Sequence, residues 1–414
     1  MLIEILFFSL VGIVVGILLG LLPGFHLNNL VPLVFLLLPI VTSPHYLAVL
    51  IVSIAIAQVF TSFIPSVYLG APDGDSNALS ILPGHRLLLE GRGYEAIQLT
   101  VVGGFGALIL SILFVLFFGN YFVSLYNIIR PYIAYPLIAV VLFMIFSEKQ
   151  IKKILSASLV VILSGILGIL VLNSSIVSQQ NVLFPTFAGL FSISILITSI
   201  AEKTKIPKQK IDKELKISKF NIIKSMVLGV IAGVLVGLLP AVGVSQAATF
   251  MQYLGGLNEA RTFLVTLSGI NTANEVISLN SLYLISNPRS GASVAIERIL
   301  SEISFDEVLL FLGVIFLTSG IVVPITLFLG RTIPKFLDRI NYTILSILVI
   351  IFLEILIVLM TGIYGLLIGL TATGIGLLCT YTGVRRSNCM GILLLPSIFF
   401  FTGLNPLILT LLNI

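Results

Sequence analysis

The chain has 414 residues, 58% of them hydrophobic and only 9% charged, with a mean hydropathy of +1.19. Soluble domains carry about 25% charged residues, so a water-soluble globular protein is excluded. The net charge of +5 is no nucleic-acid footprint either, because the basic residues fall in short loops between apolar runs, as membrane topology requires.

The first apolar run, 2–22, begins "MLIEILFFSL". It has no basic leader region and no small-residue cleavage site, so it reads as a first membrane segment. It ends in "GILLGLLPGFHLNN" (16–29), where Pro23 and Gly24 break the helix and His26, Asn28 and Asn29 follow at once. A helix that stops and restarts presents free backbone N–H groups and a positive dipole end, which together suit an anion. The competing reading is a plain turn at the membrane surface.

Residues 27–41 and 45–66, with the short stretch 69–84, fit either full spans or re-entrant hairpins. A second break is expected in "GAPDGDSNALSILPGH" (70–85). Asp73, Asp75 and Asn77 there offer oxygen ligands suited to Na⁺ or a proton, although an exposed turn favours Asp-Gly-Asp equally. Clear spans follow at 94–119, 131–146, 155–173 and 182–201. The lysine-rich "EKTKIPKQKIDKELKISK" (202–219) is the longest hydrophilic stretch and the natural linker.

Past the linker the opening motif returns. "GIVVGILLGLLPG" (12–24) is answered by "GVIAGVLVGLLPA" (229–241), with Gly12, Gly16, Gly20 and Pro23 matching Gly229, Gly233, Gly237 and Pro240 at one constant offset. The glycine ladders are small-xxx-small packing faces and not ligands in themselves. The second copy adds Gly243, Ser245 and Gln246 to the candidate anion site, and two copies favour a site over a surface turn.

Next, "GINTANEVISLNSLYLISNPRSGAS" (269–293) is the most polar near-membrane stretch. If it is helical, Asn271, Asn274, Glu275 and Ser278 share a face. Asn274, Arg289 and Ser290 join the candidate substrate residues, with Arg289 suited to clamp a carboxylate. Glu275, and Glu354 within "LVIIFLEILIVLM", join Asp73, Asp75 and Asn77 as candidate ion-coupling residues, since acids at membrane depth are costly and usually functional. Spans close the chain at 305–330, 341–360, 363–381 and 389–412. Cys379 and Cys389 make neither a disulfide framework nor a metal site, and three histidines within the first 85 residues make no structural zinc site.

Charge bias orients the segments. With the linker cytoplasmic, Arg86, Arg92, Lys149–Lys153, Arg331, Lys335, Arg339, Arg385 and Arg386 all fall inside and the N-terminus outside, with Arg261 and Arg289 unassigned. The acidic "ERILSEISFDE" (297–307) falls outside, where the first half places Arg86 and Arg92 inside. The expected fold is an all-α polytopic membrane protein of two inverted-topology repeats, 1–201 and 220–414, joined by the cytoplasmic basic linker 202–219, with broken helices or re-entrant hairpins.

These residues resemble the large membrane subunit of the tripartite tricarboxylate transporters, the TctA-type family, as a distant and short member. The glycine ladder with "GLLPG" matches an early family motif. "GAPDGD…LPGHRLLLEGRGYEA" resembles a later one through Gly70, Pro72, Gly84, His85, Gly91, Gly93 and Ala96. "FPTFAGLFSISIL" (184–196) and "MGILLLP" (390–396) resemble two further elements. Asp73, Asp75 and Ala241 depart from the pattern. The resemblance implies Na⁺- or H⁺-coupled uptake of carboxylates across the cell membrane, with a small membrane subunit and an extracytoplasmic binding protein as partners.

The expectation is therefore an ion-coupled secondary transporter of a small organic anion, working by alternating access, without cofactor, nucleic-acid partner or enzymatic activity. No nucleotide-binding motif is present to imply ATP as the energy source. A carrier or flippase for a lipid-linked anion such as polyprenyl phosphate would suit the same helix ends. An intramembrane aspartyl enzyme fits poorly, because Asp73 and Asp75 share one short turn where a dyad needs facing carboxylates.

Overall fold

The computed structural model describes residues 2–23, 27, 34, 41–71, 78–121, 124, 128, 130–174, 176–178, 181–201, 207–211, 215–238, 243–256, 259–285, 290–300, 303–337 and 342–412. Among these the regular structure is entirely helical, and eight helices are long and apolar enough to cross a membrane. The chain is an all-α polytopic membrane protein.

The first half contains α1 (Leu2–Leu21), α2 (Pro44–Thr61) continued by α3 (Phe63–Tyr68), α4 (Ile81–Leu89) and α5 (Gly93–Phe118). It goes on with α6 (Ala134–Phe146), α7 (Ile151–Asn173) and α8 (Leu183–Ala201). The second half contains α9 (Lys219–Leu238), α10 (Val244–Leu254), α11 (Ala260–Ile285), α12 (Gly291–Leu300) and α13 (Phe305–Leu337). It closes with α14 (Tyr342–Tyr381), α15 (Gly391–Phe401) and α16 (Asn405–Leu412). The two spans expected at 341–360 and 363–381 form the single run α14, broken at Gly362, whose φ of 66° only glycine adopts readily. The last expected span, 389–412, divides into α15 and α16 at the left-handed Gly403.

The glycine ladders make one contact twice. A methyl group added at Gly16 would stand 2.5 Å from the Ile54 carbonyl oxygen and 2.6 Å from Ala57 Cβ. One added at Gly233 would stand 2.6 Å from the Ile270 carbonyl oxygen and 2.5 Å from Ala273 Cβ. Gly12 meets Leu50 as Gly229 meets Thr266, and Gly20 meets Thr61 and Gln58 as Gly237 meets Ile277 and Asn274. Small residues let α1 approach α2, and α9 approach α11, almost backbone to backbone, where lipid supplies no hydrophobic drive for association. In both pairs the contacts advance in the same order along the two helices, so each pair is parallel. In the second half α10 lies between the two members of the pair in chain order.

Helices α2 and α11 form the centre. Residues Leu47–Thr61 are buried throughout, as are 262–273. Around them the halves exchange partners. α5 of the first half packs on α11 of the second, with Gly103 against Val265 and Ser268. α13 of the second half packs on α2 of the first, where Thr318 Oγ1 donates to Ser53 Oγ at 3.3 Å. Gly391, opening α15, rests on Val161 and Ser164 at mid-length of α7, as Gly189 of α8 rests on Gly369 and Ala372 of α14. Gly168 meets the Ile392 carbonyl as Gly376 meets that of Leu190. A single π-helical turn, Ala188–Ile193, interrupts α8 at this contact.

Candidate functional site

α1 stops level with Thr61 although its partner runs on to Tyr68, and α9 stops level with Ile277 although α11 continues to Ile285. At 1.5 Å per residue each helix ends about 10 Å short of its partner's end.

Of the residues singled out in the sequence, Gly24, His26, Asn28, Asn29, Asp73, Asp75, Asn77, Pro240 and Arg289 lie outside the described residues. Pro23 is buried just past α1. Beyond it, the backbone N–H of Leu27 donates to Gln58 Oε1 at 3.1 Å, so α2 holds the chain where it resumes. Gln58 is a buried polar residue of α2 that the sequence reading passed over. The offset that pairs Ile54 with Ile270 and Ala57 with Ala273 pairs Gln58 with Asn274, one of the candidate residues.

In the second half, Gly243 precedes α10 and its N–H donates to the Gln246 side chain, which reaches back over the first turn. Gln246 Nε2 donates in turn to Ser397 Oγ of α15 at 3.0 Å. Ser245 is buried beside it. The break after α9 is thus tied to α15, whose first residue sits at mid-length of α7. Ser397 was not among the expected site residues, because contacts 151 positions apart leave no local signal in a sequence.

Asn271, Asn274, Glu275 and Ser278 do lie on one helix, α11, where Ser278 Oγ donates to Asn274 Oδ1 at 3.3 Å. Asn271 and Ser278 are buried, and Asn274 and Glu275 half-buried. α11 is the inner helix of its half, which supports a lining role over a water-facing surface helix. Ser290 is engaged locally. Its N–H donates to Ser293 Oγ at 2.8 Å and its Oγ accepts from the Ser293 N–H at 3.2 Å, capping α12. Glu354 is half-buried on α14, beside Leu353 and Ile357, which belong to a cluster with Phe184, Ala188 and Leu196 of α8.

The ion pairs lie near the ends of the helices. Glu95, in the first turn of α5, is 3% exposed and accepts from Arg261 Nε at 2.9 Å, from the Lys216 backbone N–H at 2.8 Å and from Arg92. The linker is docked at this end: Gln209 accepts from the Gly93 N–H at 2.9 Å and donates to the Leu88 carbonyl at 2.9 Å. Arg261, left unassigned by charge bias, belongs to this basic face. At the opposite end Glu307, in the first turn of α13, meets His45 Nε2 at 3.2 Å.

Arg386 is buried at 8% exposure and bridges α8 and α14. It donates to Ser194 Oγ at 2.7 Å, to the Leu190 carbonyl at 3.2 Å and to Thr380 Oγ1. Charge bias marked it only as an inside residue. Its burial is a tertiary fact.

A family model described as the Tripartite tricarboxylate transporter TctA family matches residues 6–391. The chain is also 34% identical over 408 residues, covering 96% of its own length and 98% of the relative, to the uncharacterized protein MJ1079 of Methanocaldococcus jannaschii. No solved structure matches. The chain belongs to the Tripartite tricarboxylate transporter TctA family.

Proposed function

We propose that this family member is an ion-coupled secondary transporter that moves a carboxylate anion by alternating access between two inverted repeats. The observation that supports the reading is the exchange of partners between the halves, with α5 and α13 running in opposite directions. α5 and α11 are parallel, since Glu95 meets Arg261 and Gly103 meets Val265 further along both. α2 and α13 are parallel, since His45 meets Glu307 and Ser53 meets Thr318. Yet α5 and its equivalent α13 oppose each other: a methyl added at Gly330, near the end of α13, would lie 2.8 Å from Ile97 near the start of α5. Opposed repeats give two conformations of similar energy that open to opposite sides, which alternating access requires.

The substrate would lie between the two breaks. The helix N-terminus at the start of α10, with Ser245, Gln246 and the segment 26–29, supplies donors without a formal charge. Glu275, Asp73, Asp75, Asn77 and Glu354 are the acids and oxygen donors available for Na⁺ or H⁺. The basic face carries the docked linker and is assigned to the cytoplasm. Family membership supports a small membrane subunit and an extracytoplasmic binding protein as partners.

Uptake of labelled di- and tricarboxylates into proteoliposomes, under an imposed Na⁺ or H⁺ gradient, tests the reading. Accumulation that collapses with the gradient is expected. Accumulation indifferent to both gradients would overturn coupling.

A further inference from the structure

A second site lies on the basic face, away from the helix breaks. The end of α6, the end of α10 and the turn before α15 enclose a cavity of about 440 Å³ lined by Phe143, Phe146, Ser147, Tyr253 and Arg385. That volume falls in the range of small-ligand clefts, about 300–1,000 Å³. The Arg385 guanidinium stands 6.0 Å from the centroid of the Tyr253 ring. Tyr253 is fixed in turn by Phe143, edge-to-face at 5.1 Å, and by its hydroxyl, 2.8 Å from Ser387 Oγ.

Two features define the occupant. Among the described residues no acid side chain pairs with the Arg385 guanidinium. The neighbouring Glu148 is buried and accepts the Arg385 backbone N–H at 3.0 Å. Lys153 Nζ adds charge on the same turn, 3.8 Å from the position a Cβ would take on Gly383, with exposed Lys149 and Lys152 beside it. The opposite rim is apolar and open, Phe143 being 50% and Phe146 67% exposed. A free carboxylate or phosphate would use the first feature only. A lipid with an anionic headgroup and an acyl chain uses both.

We propose that this cavity binds the phosphate headgroup of an anionic phospholipid, with Arg385 and Lys153 on the phosphate and the acyl chain along Phe143 and Phe146. Basic pockets between spanning helices at the cytoplasmic interface suit such headgroups, and each basic residue near the surface contributes about a fivefold preference. The assignment stands on the cavity and its charge and does not depend on the transport reading.

The chain has no Trp, so Phe146→Trp gives a single fluorescent reporter at the rim. In nanodiscs, brominated phosphatidylglycerol should quench it at a mole fraction about 25-fold lower than brominated phosphatidylcholine, two basic residues each contributing about fivefold. Arg385→Gln and Lys153→Gln should each reduce the difference to about fivefold, and the double variant should erase it. Arg86→Gln, on the same face but away from the cavity, should leave it intact. Equal quenching by the two lipids would overturn the proposal. So would displacement of the brominated phosphatidylglycerol by millimolar inorganic phosphate, which would mark a soluble-anion site.

Discussion

Glu95 and Arg261 join the two halves of the chain at 2.9 Å, and the same contact recurs at the other end of the bundle between Glu307 and His45 at 3.2 Å. The offset that carries Ile54 to Ile270 carries His45 to Arg261. The offset that carries Gly93, opening α5, to Phe305, opening α13, carries Glu95 to Glu307. Two equivalent polar contacts between halves, one at each end, are the arrangement expected of a carrier that must seal one side while it opens the other.

The two contacts differ in burial, and their variants should differ accordingly. Arg261→Gln removes one of the two guanidinium partners of a buried carboxylate, while Arg92 and the Lys216 N–H remain on Glu95. A loss of about 1–3 kcal/mol is expected, seen as a lowered Tm in detergent. Arg86→Gln, which breaks the exposed pair with Glu90, should cost no more than about 0.5 kcal/mol. Equal Tm values for the two variants would contradict the burial argument.

The ladders should tolerate nothing larger than glycine. Gly16→Ala and Gly233→Ala place a methyl against a backbone carbonyl in both halves, and each should cost about 1–3 kcal/mol. Gly313→Ala meets nothing within 4 Å and gains helix propensity, so it should be neutral or mildly stabilising. Thermal unfolding of the three variants side by side decides the matter.

Opposition of α5 and α13 is open to cross-linking. In a background with Cys379 and Cys389 replaced by alanine, Ile97→Cys with Gly330→Cys should form a disulfide under mild oxidant, since a Cβ at 330 would sit 3.2 Å from that of Ile97. Ile97→Cys with Gly313→Cys should not. The reverse pattern would remove the inverted-repeat reading.

The break residues should govern uptake and leave insertion intact. His26→Ala, Asn29→Ala and Ser245→Ala are each expected to weaken uptake about tenfold, the effect of roughly 1.4 kcal/mol of lost binding. Gln246→Ala should lose more, because it also frees the Gly243 N–H and releases Ser397. Wild-type uptake in all four, at equal protein in the membrane, would exclude the breaks from the substrate path.

Arg386→Lys tests whether the fork of donors matters beyond the charge. A lysine cannot reach Ser194, Leu190 and Thr380 with one planar group, so lowered stability is expected with total charge unchanged. An unaltered Tm would make the guanidinium a bystander.

The sequence by itself determined the class and the repeat. Hydropathy reveals spans because a lipid solvent admits little else, and a glycine every fourth residue before Leu-Leu-Pro is periodic along one helix and so visible in one dimension. The family likeness rested on the same local patterns. What only the tertiary structure decided is which elements meet: Gln58 on the resumed chain at Leu27, Gln246 on Ser397, Glu95 on Arg261, and Arg385 over Tyr253. These partners lie far apart in the chain, and burial, which sets what each polar contact is worth, is a property of the packed bundle and not of the order of residues.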